Sequence, residues 1–216
     1  MNPSVETYDA LSCGGRFRNA FLGRVPGLDV TTDRESALAR LRQTHETMRH
    51  TLGFGDRLLA TARQVHGNRV ARVDAATPFP VEEADALITD DPRLCLGIYV
   101  ADCGAIYAVD PVTGGIGLAH SGKKGTELRI LPAMVAAMQS AFGSDPASLV
   151  VLLSPCIRPP HYEVDFAAEI LRQGRDAGVG TVVDTGACTA SDPQRYYSYR
   201  MEKGRTGRML ALLARE

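Results

Sequence analysis

The sequence predicts one α/β domain over residues 1–216, and three observations carry that reading. Short apolar runs bounded by Gly, Pro and Asp crowd the chain from residue 58 onward, as strands do. Segments with apolar side chains at helical spacing lie on either side of them, and no repeat or low-complexity run divides the chain. The composition agrees, because 216 residues with 44% apolar and 23% charged side chains can bury a full core.

The first helix reads over residues 33–52, where Ala37, Leu38, Leu41, Met48 and Leu52 share a face between Thr32 as cap and Gly53 as stop. His45 and His50 lie on or beside it and read as surface or boundary histidines. Strands follow at LLATARQV, NRVARV, DALIT and LCLGIYVADC. Asp110-Pro111 and Gly114-Gly115 then turn AIYAVDPVTGGIGLAH into a hairpin, with Cys103 just ahead of one strand and His120 at the end of the other. SGKKGT reads as a loop before a helix from about Glu127 to Phe142, striped by Leu128, Leu131, Val135, Met138 and Phe142. Pro132 is tolerated only in a first turn, which moves the start toward Ile130 or Leu131. SLVVLLSP reads as a buried strand and DFAAEILRQGRDAG as a helix ended by Gly178. Periodicity leaves TGRMLALLARE open between strand and helix.

Composition also narrows the function. With 24 Lys+Arg against 25 Asp+Glu the net charge is -1, so a nucleic-acid partner is not expected and a neutral or small anionic ligand is. No window approaches the roughly 18 apolar residues of a membrane span. Residues 1–20 lack the basic and apolar regions of a secretory signal, so a cytoplasmic chain is expected. Five cysteines without a CxxC pair disfavour a disulfide framework or a zinc ribbon.

Three segments place a metal-ligating residue at the end of a predicted strand: Gln64-Val65-His66-Gly67, Ala101-Asp102-Cys103-Gly104 and Leu118-Ala119-His120-Ser121-Gly122. Two imidazoles and a thiolate suit Zn(II), and three protein ligands leave a fourth position open, as in catalytic sites. Spacing alone equally allows three structural residues. It also allows a hydrolase with Cys103 as nucleophile and His120 or His66 as base. Ser121, Gly122, Lys123, Lys124, Gly125 and Thr126 run into a predicted helix, an arrangement that can hold an anion but lacks the Walker spacing. A polar turn with two solvated lysines is the plainer reading. Asp102 either orients Cys103 or merely ends its strand. Cys156 reads as a buried small side chain, His161 and Tyr162 as pocket-lining or displayed by Pro159-Pro160, and Arg200 and Arg208 as phosphate ligands or carboxylate partners.

In order along the chain, QVHG, DALIT, VADC, GLAHSGKKGT, LSPCIRPPHYEV and CTASDP…YYSYR…GRTGRM resemble the YfiH-type family. It is also called the laccase-domain or multicopper polyphenol oxidoreductase family. The resemblance runs from about Gln64 to Met209 and implies an α/β (α+β) fold, a mixed β-sheet core with flanking helices. It implies that His66, Cys103 and His120 bind zinc and carry catalysis, and that Lys123, Lys124, Gly125, Thr126 and Arg200 meet substrate or phosphate. The implied activity is phosphorolysis of adenosine, inosine or methylthioadenosine, with adenosine deamination beside it, so purine nucleoside and phosphate are the implied partners. Lys123-Lys124 stands where the family shows Trp-Arg, which keeps charge but loses a stacking ring and a guanidinium fork. Ser12 replaces an Arg, the Asn of a Leu-Asn-Leu stretch is lost around Ala20-Phe21, and a double Arg becomes Arg200-Met201. The metal triad is intact while residues around the substrate differ.

The family's older name implies an oxidase, but a multicopper laccase holds several coppers mostly through imidazole. Five histidines, two of them on a helix, do not furnish that set, although a single copper fits the same pocket. A link to peptidoglycan-precursor editing suits the cysteine-hydrolase alternative, and the altered substrate residues suit a nucleoside-binding homologue without turnover. The sequence leaves the preferred purine and the oligomeric state open.

Overall fold

The computed structural model describes residues 2–216. In chain order its strands are β1 (Val5–Glu6), β2 (Phe17–Leu22), β3 (Leu58–Ala60), β4 (Val70–Arg72), β5 (Ala86–Thr89) and β6 (Leu94–Val100). They continue as β7 (Gly104–Val109), β8 (Ile116–Ser121), β9 (Val150–Leu153), β10 (Thr181–Asp184) and β11 (Met209–Arg215). The helices are α1 (Asp9–Ser12), α2 (Arg34–Thr51), α3 (Lys123–Glu127), α4 (Ile130–Phe142) and α5 (Phe166–Asp176).

The strands make two mixed sheets, β1-β2-β11-β6-β3 and β10-β9-β7-β8-β5-β4. Side-chain alternation explains the layering. Leu94, Leu96, Ile98 and Val100 of β6 and Met209, Ala211 and Leu213 of β11 meet Tyr107, Val109, Ile116 and Leu118 of the second sheet in one core. The intervening Cys95, Leu210, Leu212 and Ala214 face outward to Met48 and Phe54. On the far side of the second sheet, Ile106, Ala108 and Ala119 pack against Ile130, Met134 and Met138 of α4 and Ile170 of α5. Tyr107 bridges the sheets: its ring is fully buried and its hydroxyl donates to the Ala20 carbonyl at 2.8 Å, which satisfies the one polar atom it takes inside.

The hairpin forms as read, with Gly104 opposite Ser121 and Ala105 opposite His120. α4 begins at Ile130, which leaves Pro132 in its first turn. TGRMLALLARE resolves as the strand β11, between β2 and β6 and buried on both faces, which is why no period shows in its sequence. Three expectations are corrected. The cap of α2 is Asp33, whose carboxylate accepts from the Ser36 N–H, rather than Thr32. The strand expected over LLATARQV stops at Ala60, beyond which Ala62 makes one isolated bridge to Val81. The SGKKGT segment is not an open loop, because Lys123–Glu127 winds into the single turn α3. Among the described residues, no helix is long and apolar enough to cross a membrane.

Candidate metal centre and active-site cavity

His66 sits in the loop after β3, Cys103 in the tight connection from β6 to β7, and His120 near the end of β8. The fold brings their ligand atoms within 4.8 Å of one another. The rings of His66 and His120 meet edge to face with centroids 4.8 Å apart. Gly122 is required by this crowding, since a Cβ there would stand 2.5 Å from the Cys103 sulfur.

Asp85, immediately before β5, organises the centre. Its fully buried carboxylate accepts from the backbone N–H groups of Val65 at 3.1 Å, His66 at 2.9 Å and Gly67 at 2.7 Å. The same carboxylate meets His120 Nδ1 at 2.8 Å, and the Asp85 carbonyl accepts from the His120 N–H at 2.7 Å. Burial opposes ionisation of Asp85, but His120 and the N–H groups outweigh it and hold the carboxyl below its usual range. An ionised Asp85 only accepts, so His120 Nδ1 carries its hydrogen and Nε2 is left for a metal. His66 adopts φ +61°, a left-handed backbone that these N–H contacts help to hold.

Burial also opposes ionisation of Cys103, yet His120 and His66 bring its thiol down to about 6. Burial pulls His120 down in turn, while Cys103 and Asp85 raise it to about 9. The site therefore favours a thiolate at neutral pH, the form in which sulfur binds a metal. A thiolate, an oriented imidazole and a second, more exposed imidazole fit Zn(II) or copper, with one position open to the cavity.

Asp102 does more than end its strand. At φ +79° it is strained by about 1 kcal/mol. Its carboxylate accepts from Thr189 Oγ1 at 2.7 Å, Ser198 Oγ at 3.0 Å and the Arg200 N–H at 2.7 Å. These bonds tie the 189–200 segment to the residue that precedes Cys103.

The centre opens into a cavity of about 1070 Å3. Tyr99, Tyr162, Phe166 and Tyr199 line it, as do Arg34, Lys123, Lys124, Arg200, Lys203 and Arg208. Arg200 reaches it but pairs with Glu163 and lies 4.9 Å over the Tyr162 ring. Gly125 and Thr126 do not face it: the Thr126 hydroxyl lies 2.9 Å from Ser121 Oγ and donates to the Gly122 carbonyl at 2.8 Å. Gly125 is buried against Ser121 and the carbonyls of His120 and Gly67. Tyr162 faces the cavity and His161 does not. Cys156 is buried, with burial pushing its thiol up to about 12. His50 is exposed and pairs with Glu46, but His45 is buried beside Tyr99, which corrects its reading as a surface or boundary residue.

Sequence reasoning passed over three of these residues. Asp85 is a carboxylate heading a wholly buried strand, and burial of a charge is itself a signal of a partner. Arg34 is a cation in the first turn of a helix, where the dipole disfavours it. Lys203 sits with a left-handed backbone at φ +52°, which no spacing pattern announces.

A family profile described as multi-copper polyphenol oxidoreductase laccase matches residues 23–174 and 164–216. The purine nucleoside phosphorylase of Deinococcus radiodurans is 33% identical over 217 residues, covering 88% of this chain and 83% of that protein. Purine nucleoside phosphorylase YlmD of Geobacillus stearothermophilus is 29% identical over 244 residues, covering 94% and 87%. Among solved structures, the hypothetical protein YfiH of Bacillus licheniformis superposes with a TM-score of 0.82 at 21% identity over 93% of each chain. The G. stearothermophilus YlmD structure superposes at 0.79 with 25% identity, over 97% of this chain and 94% of that one. The profile spans most of the chain, a relative 33% identical covers 88% of it, and the two structures share its fold: the protein belongs to the multi-copper polyphenol oxidoreductase laccase family, the laccase-like domain family of YfiH and YlmD.

Proposed function

We propose that the protein is a zinc-dependent purine nucleoside phosphorylase of the cytoplasm. It cleaves adenosine, inosine or methylthioadenosine, with adenosine deamination as a side activity. The observation that carries the reading is the His66–Cys103–His120 centre, oriented by Asp85 and opening into a cation-lined cavity. The relatives named purine nucleoside phosphorylase support the same reaction. The five free cysteines support a reducing compartment.

In phosphorolysis a phosphate oxygen forms a bond to ribose C1′, the C1′–N9 bond breaks, and its electron pair leaves on the purine, which gains a proton. Zinc, or copper in the same pocket, would be held by His66, Cys103 and His120 and would supply Lewis acidity. Asp85 fixes the tautomer of His120 and the loop bearing His66. Tyr162 and Tyr199 offer ring faces to a purine, and Lys123, Lys124 and Arg200 draw an anion toward the cavity. The His66–Cys103–His120 group offers three ligand atoms to one position, which supports a single-metal centre.

A second reading is favoured by one observation, the lowered thiol of Cys103 beside His120. A thiolate so placed suits a Cys-His hydrolase acting on a peptidoglycan precursor. Metal analysis together with inosine and adenosine turnover, with and without phosphate, separates the cases. One equivalent of zinc and phosphate-dependent release of free base is expected. Wild-type turnover by a metal-free His120→Ala protein would overturn the zinc-dependent reading, and no phosphate-dependent release of free base from any nucleoside would overturn the phosphorylase reading.

A further inference from the structure

We propose that inorganic phosphate is seated between the guanidinium groups of Arg34 and Arg208, with Lys203 beside them, rather than on the 121–126 segment. The inference rests on the phosphorolysis reading for its role but not for its chemistry, which is recognition of a tetrahedral oxyanion.

The charges around the cavity are unequally matched. Among the described residues, Arg200 pairs with Glu163, and Lys123 lies 4.0 Å from Glu127. The Asp102 carboxylate already faces three donors. That leaves Arg34, Lys124, Lys203 and Arg208, all lining the cavity, outside the ion pairs, and of these only the two arginines offer the planar fork that suits an oxyanion.

Arg208 is the stronger sign, because it is only 9% exposed. Cys103 and Asp102 favour its charge only from a distance, and a buried cation without a paired anion is costly. Its Nη1 donates to the carbonyls of Thr206 at 2.8 Å and Gly207 at 2.9 Å. Those bonds lock the plane of the guanidinium and leave Nε and Nη2 to meet an oxyanion, for which the planar fork is suited. Arg34 and Arg208 line the same cavity, and burial and the charge of Arg34 outweigh Tyr199, Cys103 and Asp102 in disfavouring the protonated form of Arg208, so an anion held by both would offset that cost. Cys103, His66 and His120 line the same cavity as Arg34 and Arg208, so such an anion would share it with the metal centre.

The 121–126 segment is less suited. Thr126 spends its hydroxyl inside the fold, Gly125 is buried, and α3 is a single turn. Lys123 and Lys124 then act at the rim, guiding an anion without holding it.

The test is titration of the purified protein with inorganic phosphate by calorimetry, for wild type, Arg34→Gln, Arg208→Lys and the double variant Lys123→Gln/Lys124→Gln. Loss of about tenfold in affinity for Arg34→Gln, with a change below about threefold for the lysine double variant, is expected of a guanidinium pair. Arg34 is exposed, so its variant reads the site even if Arg208→Lys disturbs folding. Wild-type affinity in Arg34→Gln, or its loss only in the lysine variant, overturns the proposal. Phosphate binding that depends on Arg34 without release of free base from any nucleoside would overturn the phosphorylase reading and leave the phosphate seat standing.

Discussion

Asp85 and His120 are joined twice, by the carboxylate on Nδ1 at 2.8 Å and by the backbone carbonyl on the His120 N–H at 2.7 Å. Because the same carboxylate receives the His66 N–H, one buried acid sets the position of two proposed ligands, one in the loop after β3 and one on β8. Asp85→Asn keeps the shape but loses the charge that selects the His120 tautomer. Metal affinity is expected to fall about 10- to 100-fold. Removing one partner of the buried pair is also expected to cost roughly 3 kcal/mol of stability. Metal titration and denaturant unfolding measure the two losses separately. Wild-type metal affinity in Asp85→Asn would contradict the orienting role.

Cys103 should report on the centre directly. Chelator-treated protein is expected to be alkylated at Cys103 with a midpoint near the thiol's value of about 6, far below an ordinary cysteine. Above that pH the thiolate dominates, and below it the reaction slows. Restoring zinc is expected to protect Cys103 while leaving the half-exposed Cys13 and Cys188 unaffected. Mass spectrometry of the alkylated peptides reads both effects, and an unprotected Cys103 in zinc-loaded protein would argue for the free nucleophile of the hydrolase reading.

His45 gives the fold an acid-sensitive point. It is buried with Nε2 unpartnered, and burial lowers it from 6.5 to about 4. The unfolded chain takes up this proton as pH falls through 6.5, while the folded chain resists until about 4. Stability present above 6.5 is therefore lost across that window, by up to about 3 kcal/mol. His45→Leu is expected to flatten the difference in Tm between pH 7.5 and pH 5. An unchanged pH dependence would show that other groups govern the acid limb.

Much of this architecture is legible before any coordinates. The hairpin is written in Asp110-Pro111 and Gly114-Gly115, and it alone brings Cys103 and His120 together. His66 and the laccase-like motifs then complete the triad. What is hidden depends on context. Phe17–Leu22 carries Arg18 and Asn19 within six residues, so its pattern does not announce a strand, and pairing with β11 and β1 makes it one. Gly125 and Thr126 look like anion ligands in a loop, but Ser121 and the Gly122 carbonyl claim the Thr126 hydroxyl once α3 forms. Arg34 lies far in sequence from the strands that end at the metal centre, and only the cavity connects them.

Gly122 tests how tightly the centre is built. A Cβ at this position would lie 2.5 Å from the Cys103 sulfur, closer than the two atoms can approach, and in ordinary contact with the Cys103 Cβ at 3.5 Å. The backbone at Gly122 has φ -114°, which any residue adopts, so strain in the chain itself is not the obstacle. In Gly122→Ala the sulfur must therefore move, and it is the atom required to meet both imidazoles. A stability loss of about 1–3 kcal/mol is expected from overpacking. The sharper outcome is functional: zinc content and turnover should fall together, while phosphate affinity at Arg34 and Arg208 remains. A Gly122→Ala protein with full zinc would show that Cys103 can give way without leaving the ligand set, and that the close approach at Gly122 does not fix the sulfur.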